Sequence, residues 1–452
     1  MKERICRLLE ENKALYFHLN DEIWANPELS LKEFVSSKLL IDTLKEHGFR
    51  IEENVDGMPT AFKATYGEGK PVIGFLAEYD ALSSLSQKSG TPEKCPIEQG
   101  GNGHGCGHNA IGASCVASAI TMKQIMEETG AKGTVVVFGC PGEERDGAKV
   151  YMARDGVFDD VDVAIAPHPA GNNFVLGCSM LANVQVEYNF SGVSAHAAGE
   201  PENGRSALDA AELMVVGVQF LREHIVQEAR VHHAYLDVGG TAPNVVQSSA
   251  KLLYYIRAPK ASQVREIYER VNDIARGAAL MTGTKVDIDL KLGMQDYVAN
   301  NVLGAIMAEC WNEIGETQFS DEAWKMAAKM APAVGMDPSG DLLDKSIGRY
   351  YPSDKALPGS TDVGDVSYIV PTAVAFFTGV LRKTPGHSWQ WVAQSGTELM
   401  HDGLHHVAKV MAYTGMKVIE DPSIVDKAKA ELMQKTGCKL ESLVPVDAKP
   451  GA

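Results

Sequence analysis

Short apolar runs alternate with amphipathic stretches along the first third of this 452-residue chain. The apolar runs have the length of strands, and each is followed by a loop containing glycine, proline or acidic residues. The clearest helical pattern between them is NAIGASCVASAITMKQIMEETG at residues 109–130. The strand candidates are KPVIGFLAEYD, GTVVVFGCPGEE, VDVAIAPHPAG and, late in the chain, PTAVAFFTGVLRKTPGH. We therefore predict an α/β fold whose mostly parallel sheet is covered by helices on both faces.

The order of elements changes in the middle of the chain. Between residues 182 and 293 the pattern reads strand, helix, strand, strand, helix, strand, which is the order of a ferredoxin-like unit. Such an insert divides a catalytic domain into two parts, which we place at 1–181 and 294–452, with an α+β lid or dimerisation domain at 182–293. Residues 317–358 have weak periodicity and several Gly, Pro and Asp residues, so we expect an irregular insert there.

Composition narrows the classes of partner. The 42 basic and 59 acidic side chains give a formal charge of −17, which disfavours binding to nucleic acid or to an anionic membrane surface. The N-terminus reads as an amphipathic helix without the apolar core of a signal peptide, and no apolar run approaches the roughly 20 residues that cross a bilayer. The eight cysteines form no regular framework. We expect a soluble, cytoplasmic protein with reduced thiols that acts on small molecules.

Several residues that can bind metal fall at the predicted strand ends or in the glycine-rich segment GGNGHGCGHNAIGAS. Each has an ordinary structural explanation when it is taken singly. In a parallel sheet, however, these positions converge on one crevice beyond the carboxyl ends of the strands. The converging residues are Cys106, His108, Glu144, His168 and His387.

The mixture of side chains indicates the chemistry of this crevice. Thiolate, imidazole and carboxylate together suit zinc, with manganese, cobalt or iron as alternatives. Five ligands exceed what one tetrahedral ion takes, whereas two ions about 3.5–4 Å apart use the whole set. Glu143, beside Glu144, is then placed to act as the general acid and base that amide hydrolysis requires.

These motifs resemble a known family. HGCGHN, PGEE, APHP, TPGHSW and SGVSAHAAGEPENGRSALDA are similar to the aminoacylase-type family of dinuclear metallopeptidases and amidohydrolases, in particular to its cysteine-containing branch. The resemblance covers nearly the whole chain apart from the insert after Thr317 and the C-terminal tail. It implies that the five residues above bind two divalent ions, zinc or manganese, that Glu143 is the general base and that Asp80 supports the metal site.

The resemblance also assigns roles to the lid. His196 matches a histidine that in dimeric relatives reaches the neighbouring subunit's active site and polarises the scissile carbonyl. Asn244 and Arg257 match positions that contact the substrate, and a guanidinium suits a free carboxylate. Arg205 is a weaker candidate. The implied assembly is a homodimer through the lid domain, with a homologous partner subunit as the alternative.

Three positions depart from the branch's pattern. Glu78 stands where the branch has the first aspartate of an Asp-x-Asp motif, Asn109 replaces the usual aspartate after His108, and Gly105 replaces an alanine. We expect these changes to alter the surroundings of the metals. His104 lies within the motif, but the resemblance does not assign it to the metal. Asn109 is also expected to cap the helix that follows.

The implied function is metal-dependent hydrolysis of the amide bond in an N-acyl amino acid. The acyl group is p-aminobenzoyl, another aroyl or alkanoyl group, or a β-alanyl unit, in which case the enzyme is a dipeptidase. One alternative is a binding subunit that has lost the chemistry, although every ligand and Glu143 are present. A further alternative is a single-metal, thiol-dependent hydrolase in which Cys106 is the nucleophile.

Overall fold

The computed structural model describes residues 1–451 and contains two β-sheets. The strands are β1 (Arg50–Glu53), β2 (Phe62–Glu68), β3 (Val72–Ala77), β4 (Gly133–Gly139), β5 (Val163–Ala170), β6 (Phe174–Val175), β7 (Ala182–Ser191), β8 (Arg230–Asp237), β9 (Ser249–Ala258), β10 (Lys285–Met294) and β11 (Thr372–Thr378). The helices are α1 (Lys2–Ala25), α2 (Phe34–Glu46), α3 (His108–Thr129), α4 (Ala148–Arg154), α5 (Ala207–Leu221), α6 (Ala261–Thr282), α7 (Asn301–Ile314), α8 (Asp321–Met330), α9 (Val363–Ser367), α10 (Trp389–Ser395), α11 (Glu398–Glu420) and α12 (Ser423–Thr436).

The larger sheet has the strand order β1-β2-β4-β3-β5-β11-β6. Its four central strands, β4, β3, β5 and β11, are parallel, and the outer strands are antiparallel to their neighbours. Alternate side chains of a strand point to opposite faces, so a strand buried on both faces is apolar throughout. In β4, Val135 and Val137 pack with α1, α3, α7 and α11, whereas Val136 and Phe138 pack with α4 and α9.

The smaller sheet forms the lid. All four of its strands are antiparallel, in the order β10-β7-β9-β8, which is the ferredoxin-like arrangement. Helices α5 and α6 cover one face, where Val184, Ile256 and Val231 are buried. The two sheets together confirm the predicted fold class of a mostly parallel, helix-covered sheet with an inserted ferredoxin-like lid.

The expectation of an irregular insert at 317–358 was wrong for its first part. Helix α8 begins after Ser320, whose side chain accepts a hydrogen bond from the N–H of Ala323. Ala323, Ala327 and Met330 recur at helical spacing and are buried in a small core of their own. The periodicity was therefore present, but it spans three turns and is followed by a glycine- and proline-rich segment that masked it.

The C-terminal tail after α12 crosses from the larger sheet's helices to the lid. Arg154 of α4 donates hydrogen bonds to the backbone oxygens of Pro445 and Ala448. Arg265 of α6 and Gln295, just after β10, both donate to the backbone oxygen of Glu441. The tail therefore contacts both parts of the molecule beside one of the two connections between them. No helix within residues 1–451 is long and apolar enough to span a membrane.

Candidate metal centre and active site

The parallel strands bring the predicted ligands to one edge of the larger sheet. Glu143 and Glu144 follow β4, His168 lies near the end of β5, and His387 lies in the loop after β11. His108 is the first residue of α3, the helix that follows β3 in the chain. The strand order, rather than proximity in sequence, is thus what assembles the site.

The ligand atoms form overlapping clusters. Within each of three groups the atoms lie within 4.8 Å of one another, and the groups are Cys106–His108–His168, Cys106–Glu144–His387 and His108–Glu143–Glu144. Cys106 belongs to two of them, so its sulfur lies between two sets of candidate ligands. Its Sγ is 3.5 Å from His168 Nε2, and His387 Nε2 is 3.4 Å from Glu144 Oε1.

These residues fit divalent cations. The buried atoms His108 Nε2 and Glu144 Oε1 have no hydrogen-bond partner among the described residues, although buried polar atoms are normally paired. Thiolate, imidazole and carboxylate oxygen are the ligand types of zinc sites. The unpaired atoms and the ligand chemistry agree with one or two cations bound here.

Glycines shape the loop that carries Cys106 and His108. Gly107 precedes α3 and has φ +81°, a conformation that other residues rarely adopt. The backbone oxygen of Gly105 accepts a hydrogen bond of 3.1 Å from the N–H of His387, which joins the two ligand loops. The expectation that Asn109 caps α3 was wrong, because it lies one residue inside the helix. Its buried side-chain amide donates to Asn20 Oδ1 and to the backbone oxygen of Ser395.

Asp80 contacts His108 and the Glu144 backbone. One carboxylate oxygen lies 2.7 Å from His108 Nδ1, and the other accepts the N–H of Glu144 at 3.0 Å. Burial opposes ionisation of Asp80, but the adjacent His108, the N–H of Glu144 and the charge of Lys149 together outweigh it and lower the pKa of Asp80. A charged Asp80 fixes the ring so that Nε2 points to the ligand cluster.

Glu143 is enclosed among other acidic groups. Burial, followed by the charges of Glu78, Asp362 and Glu144, raises the pKa of Glu143 well above its ordinary range. Cys106 behaves similarly, since burial and then Glu144 raise the pKa of its thiol. The thiolate is the form that binds a metal, so a cation bound here would have to displace the proton of this thiol.

Sequence reasoning missed three buried charged residues near the centre, namely Lys149, Asp362 and Glu33. Lys149 Nζ lies 2.8 Å from Glu78 Oε1 and 2.7 Å from Asp362 Oδ1. Glu33 accepts a hydrogen bond from the N–H of Gly142, in the loop that leads to Glu143. A lysine inside the apolar run GAKVYMA was the available signal for Lys149, whereas nothing near Glu33 marked it.

A cavity of about 650 Å³ lies between the ligand cluster and the lid. Cys106, Glu143, Glu144, His168 and His387 line it together with Arg257. Further lining residues that the sequence did not single out are Asn183, Gln185, His232 and Tyr255 from the lid and Met180, Val363, Val374 and Phe376 from the opposite wall. The structure thus brings Arg257 to the same space as the predicted ligands.

Three predicted lid residues, His196, Asn244 and Arg205, lie outside this cavity lining. His196 is exposed, and the backbone N–H of Ala197, next to it, donates to the backbone oxygen of Asn244. Arg205 donates instead to the backbone oxygen of Glu202. His104 is buried 3.0 Å from the backbone oxygen of Ile23 and belongs to none of the three ligand clusters.

Comparison with known proteins supplies the family. The description "Peptidase family M20/M25/M40" matches residues 74–390. The chain is 40% identical over 451 residues to a p-aminobenzoyl-glutamate hydrolase subunit of Escherichia coli K12, covering 95% of this chain and 94% of that protein. It is 28% identical to the Xaa-Arg dipeptidase of Mus musculus, covering 98% of this chain and 93% of that protein.

A solved structure extends the comparison to the fold. A Bacillus subtilis protein described as a dinuclear metal-binding peptidase from the M20 family superposes with a TM-score of 0.59 at 18% identity, covering 91% of this chain and 99% of that one. The resemblance drawn from the motifs is thereby confirmed. The chain belongs to peptidase family M20/M25/M40 and is a hydrolase of the metallo-amidohydrolase type.

Proposed function

We propose that this enzyme hydrolyses the amide bond of N-acyl amino acids, with aroyl amino acids such as p-aminobenzoyl-glutamate as the leading class. The observation that carries the proposal is one cavity lined by Glu143, by four of the five candidate ligands and by Arg257, with the fifth ligand, His108, in contact with them. Arg257 lines the cavity, and its Nε has no hydrogen-bond partner in residues 1–451, which supports a role for its guanidinium in binding a substrate carboxylate. The name of the E. coli relative supports the substrate class.

Cys106, His108, Glu144, His168 and His387 would hold two divalent ions, zinc or manganese. When bound, the ions supply Lewis-acid activation of the attacking water and of the scissile carbonyl. The clusters that share Cys106 support a site for two ions.

The protein's own groups carry the proton and position the substrate. Glu143 takes a proton from the attacking water and delivers it to the leaving amine, for which an enclosed carboxylate with a raised pKa is suited. Asp80 fixes the ring of His108. Arg257 holds the carboxylate of the amino acid that leaves.

His196 is assigned to the active site of a second subunit. Its Nδ1 accepts hydrogen bonds from the N–H groups of Ala198 and Gly199, at 3.2 and 3.0 Å. The proton of the neutral ring is then on Nε2, which faces away and can donate to a carbonyl oxygen. Asn244, beside His196, would reach the substrate from the same exposed corner.

An apolar surface on the lid supports assembly through this domain. On α5, Leu213, Val216 and Phe220 recur along one side and are 37%, 52% and 74% exposed. The neighbouring strand β8 is an edge strand with Tyr235 and Leu236 exposed. Such a patch and an open edge are typical of an interface. A homodimer is the leading assembly, and the relative's name as a subunit keeps a homologous partner as the alternative.

The domain boundaries near 181 and 294 are supported by the limits of the lid sheet. Strand β7 begins at Ala182 and β10 ends at Met294. The proposed cytoplasmic location is supported by the cysteines, since all eight are free thiols in the described residues.

A dipeptidase is the second candidate, because the Mus musculus relative carries that name. The cavity wall opposite the lid favours an acyl group over the ammonium group of a dipeptide. Met180, Val363 and Val374 are apolar, and the ring of Phe376 lies 5.2 Å from that of His168. A binding subunit without chemistry is disfavoured because Glu143 and all five candidate ligands are present and clustered at the cavity.

The test is Glu143→Gln in enzyme loaded with Zn²⁺ or Mn²⁺ and assayed on N-acyl amino acids. We expect turnover to fall by at least about 10²–10⁴-fold while metal content by elemental analysis stays at the wild-type level, because the amide is isosteric and removes the proton acceptor. Substantial residual turnover would assign the base to another group. For the metal mechanism we expect loss of activity in a chelator and recovery on adding metal. An enzyme that uses Cys106 as the nucleophile should instead keep its activity in the chelator and lose it on thiol alkylation.

A further inference from the structure

The segment between α1 and α2, residues 26–33, contacts three parts of the chain beside the metal centre. We call this segment the connector. Its backbone oxygen at Pro27 accepts a hydrogen bond of 3.0 Å from the side chain of Asn102, in the glycine-rich loop. Its backbone oxygen at Glu28 accepts the N–H of Ala81, in the loop after β3, at 2.7 Å. The third contact is with the loop after β4.

The loop after β4 forms a tight turn at Gly142. The backbone oxygen of Gly142 accepts the N–H groups of Asp146 and Gly147, at 3.0 and 2.7 Å. Glu143 and the ligand glutamate that follows it lie inside this turn. The placement of both carboxylates therefore depends on how the turn is held against the rest of the molecule.

Glu33 and Ser30 of the connector hold the two ends of this turn. Glu33 Oε1 accepts the N–H of Gly142 at 2.9 Å, and Ser30 Oγ donates to a carboxylate oxygen of Asp146. Gly142 has φ +67°, and a Cβ at this position would lie 2.3 Å from Ser30 Oγ. Only glycine allows this close approach of the turn to the connector.

The connector itself is shaped around the Glu33 carboxyl. Leu31 has φ +59°, a backbone conformation that bulky residues rarely adopt. Its N–H donates at 2.9 Å to the same Oε1 that holds Gly142, whereas Oε2 accepts the hydroxyl of Thr60 at 2.8 Å. Strained backbone of this kind is concentrated at functional sites, where the surrounding structure maintains it.

We propose that Glu33 is a positioning residue for the reaction, which sets the place of the base Glu143 through the N–H of Gly142. Ser30 supports the turn from its other end. The inference rests on the proposed function for the role of Glu143 and extends it to a residue outside the cavity lining.

The ligand glutamate has a second support that Glu143 does not share. The N–H of Glu144 donates to Asp80 at 3.0 Å, and Asp80 also fixes His108. Loss of the Glu33 contact should therefore displace the base while the metal ligands stay in place.

The experiment uses metal-loaded enzyme and an N-acyl amino acid such as benzoyl-glutamate. Glu33→Met should lower kcat by about 10–100-fold with KM and metal content little changed, because a base displaced by about 1 Å accepts the proton poorly. Glu33→Gln should recover most of this loss. The pKa of Glu33 is about 8, so the carboxyl is mostly neutral at pH 7 and glutamine keeps its acceptor oxygen.

The matched control is Thr60→Val. Valine has the shape of threonine, and this change removes the hydrogen bond to Oε2 of the same Glu33 carboxyl without touching the turn. It should lower stability and keep the wild-type kcat. Ser30→Ala, at a half-buried position, tests the other end of the turn and should lower kcat by a smaller factor than Glu33→Met.

Hydrogen exchange followed by mass spectrometry measures the turn without any substrate. Glu33→Met should speed exchange of the backbone amides in residues 140–147, because a turn that loses a contact opens more often. Thr60→Val should leave that exchange at the wild-type rate.

Each outcome decides a separate statement. If Glu33→Met and Thr60→Val lower kcat alike, or if Glu33→Gln loses as much as Glu33→Met, Glu33 is not a positioning residue. If Glu33→Met does not fold, Ser30→Ala decides, and unchanged kcat and exchange in that variant overturn the proposal. If the wild-type enzyme hydrolyses no N-acyl amino acid, the proposed function fails, and the exchange rates alone decide whether Glu33 holds the turn.

Discussion

Asp80 and the glycines around Cys106 position the candidate ligands, although they do not belong to the candidate ligand set themselves. Asp80 occupies Nδ1 of His108, which leaves Nε2 without a hydrogen bond and directed at the cluster, 3.5 Å from Glu78 Oε2 and 3.9 Å from Glu144 Oε1. Gly107 allows the turn that places Cys106 and His108 on neighbouring positions of the same site. At the scale of single residues, the site is therefore preorganised by contacts outside the ligand set.

Cys106→Ser should lose both metal and activity, since a serine hydroxyl is a much weaker ligand than a thiolate. Elemental analysis of the purified protein measures the loss. The control is Cys115→Ser, because Cys115 is fully buried away from the cluster and its thiol donates to the backbone oxygen of Leu76, as a serine hydroxyl also can. Full metal content in Cys106→Ser would remove Cys106 from the ligand set.

Glu33 makes stability depend on pH. Burial, and then the charge of Asp80, raise its pKa from 4.5 to about 8. A carboxyl whose pKa is higher in the folded than in the unfolded chain contributes stability that is complete below the unfolded value. That contribution declines as the pH rises from about 4.5 to about 8, because the unfolded chain ionises first.

Glu33→Gln should remove this decline, since glutamine keeps an oxygen for the N–H groups of Leu31 and Gly142 and does not ionise. The melting temperature of the variant relative to the wild type should therefore rise between about pH 5 and about pH 8. Glu52→Gln, on the exposed face of β1, serves as the control and should show no such trend. A constant difference across this range would contradict the buried-carboxyl interpretation.

At the scale of elements, the ion pairs of Lys149 connect α4 with the end of β3 and the start of α9. Its ammonium contacts Glu78 and Asp362, and all three side chains are buried. The backbone N–H of Lys149 also donates to Asp362. One lysine thus balances two carboxylates beside Glu143.

Lys149→Met should destabilise the protein by about 3–5 kcal/mol, because it leaves two buried carboxylates without their counter-ion. Urea denaturation followed by circular dichroism measures the change. The double variant Lys149→Met with Asp362→Asn should recover part of the loss, since it also removes one of those charges. A loss of stability below about 1 kcal/mol would contradict this account, because it would mean that the two carboxylates do not depend on Lys149 as their counter-ion.

Sequence periodicity was sufficient to predict the helices and strands that are buried on both faces or on one regular face. The apolar runs of β3, β4, β5 and β11 and the β-α-β-β-α-β order of the lid predicted both sheets. Helix α8 was missed because three turns give a weak signal beside an irregular segment. The ligand cluster was predictable because parallel strands end at one edge. Glu33, Lys149 and His232 were not predictable in this way, because packing between segments that are distant in the sequence places them near the site.

At the scale of the whole molecule, the positions of His196 and Arg257 separate two contributions of the lid. Arg257 lines the cavity of its own chain, and His196 lies on an exposed corner away from it. If His196 serves the partner subunit, every active site needs two chains. The assembly is then part of the catalytic unit.

Mixing the inactive variants His196→Ala and Glu143→Gln should restore activity after subunit exchange. Random exchange gives about half heterodimers, each with one intact site of two, so recovery should approach roughly one quarter of wild type. Sedimentation and mass spectrometry of the mixture establish that exchange has occurred. An arrangement in which His196 serves its own chain predicts no recovery, because each chain then carries its own defect.

The contacts of the C-terminal tail restrict where a tag or fusion partner can be attached to this protein. Arg154 on one side, and Arg265 and Gln295 on the other, hold backbone oxygens of the same short segment, between Glu441 and Ala448. Rotation of the lid about its connections must stretch or release these contacts. A purification tag or fusion partner attached after the tail is therefore placed beside these contacts between the lid and the larger sheet's helices, whereas α1 at the other end of the chain packs on α3 and α11, away from the lid. Fusions for kinetic work belong at the amino end.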